Sequence, residues 1–400
     1  MQICFVSQEY PPARHGGLGT QTFHKAHGLA ALGHQTYVVT HSPDDARHES
    51  ADGRVHVIRI PGGDAVLEVR TEPVRWLTYS VQIAAALAEL QARSPLDLID
   101  FAEWGGEGYV YLLNRTPWNS LPCTVQLHGP LAMFSRTMGW PEPESDMCRT
   151  GTAMESTSVR LADAVYSSSR CSVDWCVRCY GLTDRGIPII HTGVDAQHFR
   201  RYDVSRDDRP TIVFVGRLVE NKGVELLTEA ALRLAAEIPG LRLRLVGGGE
   251  TRVVDRLRAL AHAARGQEVL ELAGFVPSDK LPEELSRADV FAAPSIYEGG
   301  PGFVYLEAMS CELPVIACAG SGAAECVRHG ENGLLVPPRD LEELIAALRE
   351  LLGNPELRLQ MGKRGRRYVE DHAERQTCLR RLERFYQEVV ERCRDKRLPP

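Results

Sequence analysis

Two basic residues in the second half of the chain have the side chains and the position to bind a diphosphate. Arg217 and Lys222 lie in a loop after the apolar run 211–215, which is predicted to be a β-strand. A guanidinium binds phosphate oxygens through its fork and an ammonium binds them as a point charge, so together they can clamp a diphosphate. The loop position after a strand favours this function over the alternative, a solvated basic pair beside Glu220.

Two acidic residues follow a later apolar run, 288–293. Glu298 lies in a loop rich in glycine and proline, and Glu307 lies about one turn inside a helix that is predicted to begin near Phe303. The free N–H groups of a helix N-terminus attract phosphate, whereas carboxylates suit hydroxyl groups. The stretch 294–311 therefore indicates a phosphorylated sugar or a nucleotide, and the alternative is an ordinary turn with its second acid on a solvated helix face.

The first half of the chain carries related features. Gly16 and Gly17 belong to a Gly-Gly-Leu-Gly segment after the first predicted strand, where backbone amides can face a diphosphate or simply form a tight turn. His128 ends the predicted strand 124–127 and is followed by glycine. Its imidazole can bind a sugar hydroxyl or a phosphate, or it can pack to hold the turn.

Strand-like and helix-like segments alternate along all 400 residues, which predicts parallel sheets covered by helices on both faces. The alternation breaks near 195–210 and then restarts, so we predict two doubly wound α/β domains with binding loops at the carboxyl ends of their strands. The last helix is predicted to end near Lys396. The predicted strands are 3–7, 36–40, 55–60, 98–101, 124–127, 164–167 and 188–190, then 211–215, 241–246, 269–273, 290–293, 315–317 and 334–336.

Composition excludes several classes of protein. The chain is 44% hydrophobic and 25% charged, and its net charge of -7 without a basic block argues against nucleic acid or a polybasic membrane anchor. The N-terminus lacks the features of a signal peptide, and the apolar segment 81–90 is too short to span a membrane, so we expect a cytoplasmic protein. Cys171, Cys176 and Cys179 have no second ligand pair, which favours packed thiols over a zinc site.

Several of these segments together resemble the retaining glycosyltransferases of family 4, and the resemblance runs over nearly the whole chain. The matching positions, in order, are 16–19, His128, 216–223, 247–250, 298–309 and 313–315. The resemblance implies an α/β protein of the GT-B fold, in which two Rossmann-like domains face each other across a cleft and the C-terminal helix crosses back to the first domain. It places an acceptor-binding domain at 1–195 with 373–400, and a donor-binding domain at 196–372.

The family resemblance also implies the reaction. A hexosyl unit would pass from a UDP-, GDP- or ADP-linked sugar to a hydroxyl of a sugar-containing or small-metabolite acceptor, with retention at the sugar carbon. No cofactor and no divalent metal are implied, and the chain contains no Asp-x-Asp triplet. Nucleic acid is not an expected partner, and the base, the sugar, the acceptor and the oligomeric state are not specified by the sequence.

Particular residues take roles from the same resemblance. Arg217 and Lys222 would neutralise the leaving diphosphate, Glu298 would bind hydroxyls of the transferred sugar, and Glu307 would hold the ribose. The remaining donor-binding positions would contact the donor largely through backbone atoms or from the first domain. They are Gly302, Phe303, Val304, Phe275, Val276, Gly16, Gly17 and His128.

The chain departs from the family pattern at the two acids. Seven residues usually separate them, whereas the eight residues 299–306 separate Glu298 from Glu307. Glu298 either reaches the sugar through a wider loop or is displaced from it. Glu312 also stands where the family commonly has glycine.

On the acceptor side, Glu103, Trp104 and Trp140 follow first-domain strands, and acids with aromatic rings suit a sugar. The alternative is that both tryptophans are packed in the interior. Glu9 and Glu103 are also candidates to assist the acceptor hydroxyl.

Two other functions fit the same residues: a sugar-nucleotide epimerase or hydrolase on this fold, and a binding protein without turnover. A dinucleotide-dependent oxidoreductase fits least, because neither domain opens with the Gly-x-Gly-x-x-Gly spacing.

Overall fold

The computed structural model describes residues 1–12, 16–63, 68, 70–116, 121–205 and 208–395. The chain forms two compact units, Met1–Thr192 with Cys378–Pro400, and Gly193–Thr377. Loop residues 13–15 and the predicted helix end at Lys396 lie outside the described residues. The assignment of acceptor binding to one unit and donor binding to the other stays a prediction.

The first unit contains a seven-stranded sheet whose strands are parallel except for one antiparallel edge strand, β3. The strand order is β3-β4-β2-β1-β5-β6-β7. Most of its central residues are buried on both faces, as expected for a parallel sheet between helices. The strands are β1 Gln2–Val6, β2 Gln35–His41, β3 His48–Asp52, β4 Val55–Ile60, β5 Leu98–Ala102, β6 Cys123–Leu127 and β7 Ala164–Ser167.

Among the described residues, the N-terminal part of the first unit contains helices α1 to α6 and a 3₁₀ turn at Trp104–Gly106. Ser145 and Ser169 cap two of them by accepting hydrogen bonds from backbone amides in the first turn. The helices are α1 Gly17–Ala31, α2 Glu72–Arg93, α3 Tyr109–Leu113, α4 Leu131–Met138, α5 Asp146–Leu161 and α6 Arg170–Tyr180.

The second unit contains a parallel six-stranded sheet in the order β10-β9-β8-β11-β12-β13. Its core joins all six strands with the helices on both faces. The strands are β8 Thr211–Val215, β9 Arg242–Val246, β10 Leu270–Gly274, β11 Val290–Ala293, β12 Val315–Cys318 and β13 Gly333–Val336.

In the described part of the second unit, helices α7 to α12 accompany the sheet, together with short turns at Glu220–Lys222 and Gly322–Glu325 and a π-helical turn at Val369–Ala373. The helices are α7 Val224–Leu234, α8 Thr251–Ala263, α9 Leu281–Ser286, α10 Phe303–Ser310, α11 Leu341–Gly353 and α12 Pro355–Tyr368.

The last helix, α13 Arg375–Asp395, returns the chain to the first unit from Cys378 onward. Its buried side chains include Leu379, Leu382 and Tyr386, which belong to a core cluster with β1, β2 and α1. The Tyr386 hydroxyl lies 3.0 Å from the Tyr166 hydroxyl on β7. The helix is therefore an integral part of the first unit's core.

The connectivity of each sheet reverses at one central strand. β1 lies between β2 and β5, and β8 lies between β9 and β11. In doubly wound sheets the loops that leave the carboxyl ends of such strands diverge and open a crevice for ligands. The two α/β units and their doubly wound sheets confirm the predicted fold class.

Two details of the predicted strands were wrong. Residues 188–190 form no strand, and Ile189 makes only an isolated bridge to Ser167, because the preceding Pro188 has no amide to donate to a ladder. The antiparallel β3 was not predicted, since its sequence His-Glu-Ser-Ala-Asp is polar and its residues are largely exposed at the sheet edge.

No helix in the described part of the chain is long and apolar enough to cross a bilayer.

Candidate active site

The predicted phosphate-binding and sugar-binding residues of the second unit lie in loops that follow two adjacent strands. Arg217 and Lys222 follow β8, and Glu298 follows β11, which pairs with β8 in parallel. Both loops therefore leave the carboxyl edge of the sheet at the strand where its connectivity reverses. The structure brings Lys222 and Glu298 together at this edge.

Lys222 and Glu298 form a direct ion pair. The Lys222 Nζ donates to Glu298 Oε1 over 2.6 Å, and the side chains are 23% and 14% exposed. Partial burial reduces screening, so this pair is stronger than an exposed surface pair. An ammonium has three donors, and one bond to a carboxylate leaves capacity for phosphate oxygens.

Arg217 is exposed on the same loop. Within the described residues its guanidinium forms no ion pair or side-chain hydrogen bond. Its backbone carbonyl accepts the amide of Val219 at 3.0 Å, which helps to fix the loop. The guanidinium is thus available to an anionic ligand.

Close backbone approach locks these loops together, and two glycines make it possible. A Cβ on Gly223, where φ is +69°, would lie 2.3 Å from the Pro294 carbonyl oxygen. A Cβ on Gly247, where φ is +139°, would lie 1.9 Å from the Gly216 carbonyl oxygen. The Ile296 amide also donates to the Asn221 carbonyl at 2.9 Å. The Lys222 and Glu298 loops are consequently fixed to each other by backbone contacts.

The longer spacing between the acids leaves Glu298 beside Lys222 and near the start of α10. Glu298 Oε2 lies 3.9 Å from the position that a Cβ on Gly302 would occupy. Gly302 has φ +68° and ψ +123°, and it is the residue before the first turn of α10. The extra residue is accommodated in the glycine-rich loop 299–302, and Glu298 lies beside Lys222.

Glu307 lies in the middle of α10 and is half-buried. Desolvation raises the pKa of Glu307 to about 7, against the opposing effect of the positive charge of Arg375. Within the described residues no hydrogen bond to its carboxylate is present. The carboxylate can therefore accept a hydrogen bond from a ligand hydroxyl.

The other predicted donor residues of the second unit differ in exposure. Phe303 and Val304 begin α10 and pack partly against the core, so their side chains are anchored while their amides belong to the helix N-terminus. Phe275 follows β10 and is 81% exposed, whereas Val276 packs partly against the core. An exposed phenylalanine at this edge is free to stack on a ligand ring.

The amides of the glycine loop in the first unit donate hydrogen bonds to a carboxylate of the protein itself. The Gly16 and Gly19 amides donate to Glu9 Oε2 at 2.7 and 3.2 Å. Gly17, the first residue of α1, is exposed and has nothing within 4 Å of a built Cβ. The carboxylate of Glu9 therefore takes the place at the N-terminus of α1 that the sequence assigned to a phosphate.

His128 follows β6 and is half-buried. Desolvation lowers the pKa of His128 well below its ordinary value, and the positive charge of Lys25 lowers it further. The imidazole is therefore neutral near pH 7, which suits hydrogen bonding to a sugar hydroxyl rather than charge pairing with a phosphate.

Glu103 is placed in the interior, away from solvent. It is fully buried, and its Oε1 accepts the amides of Gly129 and, at 2.6 Å, of His128. Burial and then the charge of Glu155 raise the pKa of Glu103 to about 8. This placement gives Glu103 a role in holding the His128 loop and removes it from the residues that can touch an acceptor.

The two predicted acceptor tryptophans do form one surface. Trp104 and Trp140 are stacked with ring centroids 6.5 Å apart and 21° between planes, and Phe134 packs edge-on against Trp104 at 4.9 Å. Trp140 is 50% exposed. Flat aromatic faces of this kind bind the apolar faces of sugar rings.

Sequence reasoning gave no loop-holding role to two acids, Glu155 and Glu107. Glu155 accepts the amides of Gly105 and Leu131 at 2.9 and 2.8 Å, and Glu107 accepts the Gln8 amide at 2.8 Å. Both acids are buried. Glu107 had a sequence signal, since it follows a predicted strand, but Glu155 lies inside a helix and had none.

The predicted cysteine cluster lies on α6. Cys171, Cys176 and Cys179 are free thiols, and Cys176 is buried. Throughout the described ranges, no group of three or more His, Cys, Asp or Glu side chains could hold a metal ion.

Comparison with known proteins defines first the fold and then the family. The solved structure of sucrose-phosphate synthase from Thermosynechococcus elongatus superposes with a TM-score of 0.83 at 24% identity, over 98% of this chain and 99% of that one. This likeness, with the two α/β units, shows the GT-B fold.

Two family profiles match consecutive parts of the chain. Glycosyltransferase Family 4 matches residues 15–198, and Glycosyl transferases group 1 matches residues 195–368. The glycogen synthase of Mycobacterium tuberculosis is 29% identical over 377 residues, or 89% of this chain and 87% of its own length. The GDP-mannose-dependent alpha-(1-6)-phosphatidylinositol monomannoside mannosyltransferase of the same species is 35% identical over 192 residues. This match covers 44% of this chain and 49% of the mannosyltransferase. The chain belongs to the family 4 glycosyltransferases.

Proposed function

We propose that this glycosyltransferase moves a hexosyl unit from a nucleotide diphosphate sugar to a hydroxyl of a carbohydrate or small-metabolite acceptor, with retention and without a divalent metal. The observation that carries the proposal is the 2.6 Å contact of Lys222 with Glu298 at the edge where β8 and β11 end. A phosphate-binding cation and a hydroxyl-binding acid meet there, as a diphosphate attached to a sugar requires.

The chemistry follows from the charges at this edge. When the bond from the sugar carbon to the diphosphate breaks, the electron pair remains on the leaving oxygen. Lys222 and the exposed guanidinium of Arg217 stabilise that growing negative charge. These two cations take the place of a metal ion. Glu298 binds sugar hydroxyls and Glu307 binds the ribose.

The relatives support the nucleotide-linked donor. The mannosyltransferase from M. tuberculosis is named as GDP-mannose-dependent, and its match covers 44% of this chain. The base can be uracil, guanine or adenine, because the exposed Phe275 offers a ring surface to any of them.

The acceptor is proposed to lie on the first unit. The half-exposed Trp140 and its stacked neighbour Trp104 present an aromatic face suited to a sugar ring. The neutral imidazole of His128 would bind a hydroxyl of the substrate.

Removal of either cation tests the reaction. We expect Lys222→Ala and Arg217→Ala to lower transfer by about 100-fold to 1000-fold, because loss of one transition-state donor costs roughly 3 to 4 kcal/mol. The measurement is nucleotide release from UDP-glucose, GDP-mannose and ADP-glucose in the presence of an acceptor panel. Near wild-type turnover in either variant contradicts the assignment.

The matched control is Lys280→Ala, which removes an exposed lysine paired with Glu283 at 3.8 Å. It should retain wild-type turnover. Product analysis after incubation with donor alone separates an epimerase or hydrolase from a transferase. A protein that is stabilised by a nucleotide sugar yet releases no nucleotide would be the binding protein without turnover.

A further inference from the structure

A segment outside the predicted site holds the Glu298 loop. After β12, the chain turns through Ser321 and the 3₁₀ turn Gly322–Glu325. The Gly322 amide donates to the Glu298 carbonyl oxygen at 2.8 Å. The Cys326 thiol lies 3.4 Å from the Pro301 carbonyl oxygen and 3.3 Å from the Ala323 carbonyl oxygen and can donate to either, so the far end of the loop 298–301 also contacts this segment.

The contact at Gly322 leaves no room for a side chain. A Cβ at this position would lie 2.6 Å from both the amide nitrogen and the carbonyl oxygen of Gly300, and 2.7 Å from the Glu298 carbonyl oxygen. All three are backbone atoms, which cannot rotate away. A substitution here must therefore displace the backbone of the loop.

The segment itself is firmly anchored. Gly322 and Ala323 are buried, and the Ser321 hydroxyl donates to the Cys318 carbonyl at 3.0 Å. Cys326 is also buried in the second unit's core. When the two backbones are forced apart, the glycine-rich Glu298 loop should move more than the core segment.

We propose that Gly322 is a positioning residue for Glu298 and thereby for the sugar end of the donor. The loop that it supports contains the additional residue between Glu298 and Glu307. Gly322 keeps this longer loop against the sheet so that the Glu298 carboxylate remains at Lys222. The inference rests on the proposed function, since it assigns Glu298 to the sugar.

The test is Gly322→Ala, assayed for nucleotide sugar and nucleoside diphosphate separately. A shift of the Glu298 loop should lower kcat/KM for the nucleotide sugar by about 100-fold, as expected for a misplacement near 1 Å. The Kd of UDP, GDP or ADP should stay within twofold, because these ligands lack the hexosyl unit that Glu298 is proposed to bind. The probe is whichever of UDP-glucose, GDP-mannose and ADP-glucose the wild type uses.

Two further variants keep the outcome decisive. Cys326→Ala removes a thiol that can donate to the Pro301 or the Ala323 carbonyl and leaves the Gly322 backbone contact in place, so it should lower kcat/KM less and in the same selective way. Gly353→Ala is the matched control, since a Cβ there meets nothing within 4 Å, and it should behave as wild type.

The outcomes separate the two proposals. Wild-type kinetics in Gly322→Ala overturn the positioning role, and so does a parallel loss of nucleotide sugar and nucleoside diphosphate binding in a folded variant. If Gly322→Ala does not fold, wild-type kinetics in Cys326→Ala overturn it. A wild-type protein that binds none of the nucleotides overturns the proposed function instead.

Discussion

At the residue scale, Glu307 is a predicted ligand-binding acid whose charge state changes near neutral pH. Desolvation raises the pKa of its carboxyl to about 7, and the charge of Arg375 only partly opposes this effect. Below this pH the carboxyl is mainly protonated and loses its strongest acceptor capacity. Its proposed contact with the ribose should therefore weaken as the solution becomes acidic.

We expect nucleoside diphosphate affinity to fall by up to about tenfold for each pH unit below 7, because the ionised carboxylate accepts ribose hydroxyls more strongly. Calorimetric titration between pH 5.5 and 8 measures it. The phosphate of the ligand also titrates in this range, so Glu307→Gln is the control, and the difference between the two proteins isolates this carboxyl. Identical pH profiles contradict the ribose role.

Glu312 is a second residue of interest, because its backbone conformation lowers the stability of the native protein. It ends α10 in a Schellman arrangement, in which its amide donates to the Met309 carbonyl and the Leu313 amide donates to the Ala308 carbonyl, both at 3.0 Å. This arrangement requires the left-handed region, and Glu312 has φ +60°. Glycine, common in the family at this position, adopts that conformation without strain.

Glu312→Gly should therefore raise the free energy of unfolding by about 0.5 to 1 kcal/mol. Urea unfolding gives the value. Glu350→Gly, in an exposed position of α11, should lower stability by a similar amount, because glycine weakens a helix interior. A loss of stability in Glu312→Gly would contradict the strain argument.

At the element scale, buried carboxylates fasten the loops at the carboxyl edge of the first sheet. Glu103 holds the loop after β6, Glu107 holds the loop after β1, and both lie just after β5. Burial raises the pKa of each to about 8. Glu155, whose pKa burial raises to about 7, holds the start of α4.

These raised pKa values give stability a definite dependence on pH. An unfolded glutamate releases its proton near pH 4.3, whereas native Glu103 keeps it to about pH 8. Between these values the native state binds more protons than the unfolded state, so the free energy of unfolding falls as pH rises.

We expect Glu103→Gln, which resembles the protonated acid, to reduce this loss of stability between pH 5 and pH 9. Thermal unfolding across that range measures the slope. Glu142→Gln is the surface control and should leave the slope unchanged. An unaltered slope in Glu103→Gln would mean that this carboxyl is already ionised in the native protein at pH 5.

At the scale of the whole molecule, the first unit contains a buried polar network that includes the C-terminal helix. Lys25 Nζ donates to Asp100 at 2.7 Å, to Gln126 at 2.6 Å and to the Tyr166 hydroxyl at 3.1 Å. The Tyr166 hydroxyl meets that of Tyr386 on α13. Lys25 and Asp100 are both buried, so neither charge has water as a substitute partner.

We expect Lys25→Met to lower the stability of the first unit by about 3 to 5 kcal/mol, because it leaves the Asp100 charge buried without its partner. Lys25→Met with Asp100→Leu should be less unstable than the single variant. All five tryptophans of the chain lie within residues 1–192, so tryptophan fluorescence reports unfolding of this unit.

Calorimetry of the same variants shows the second unit as well. A nucleoside diphosphate should raise the unfolding temperature of the second unit, which calorimetry detects and tryptophan fluorescence does not, because the proposed contacts of the ligand lie on that unit. A fluorescence transition that Lys25→Met leaves unchanged would contradict the role of the network.

Much of the fold and part of the site were predictable from local patterns. Apolar runs alternating with helical segments predicted two doubly wound units, and loop positions after 211–215 and 288–293 marked Arg217 and Glu298. The edge strand β3 was not predictable in this way, because its exposed residues carry no apolar alternation. Residues 188–190 have the apolar composition of a strand and lie beside β7, but Pro188 has no amide to donate to a ladder.

The sequence by itself determined the class of chemistry, since cations, acids and glycines at strand ends are local features with a common physical meaning. Only the tertiary structure decided which of them meet. It paired Lys222 with Glu298 despite the longer spacing, placed Glu103 inside the protein, and brought Gly322 against a loop some twenty residues earlier. Burial, charge pairing and backbone contact depend on segments far apart in the chain, so no local pattern specifies them.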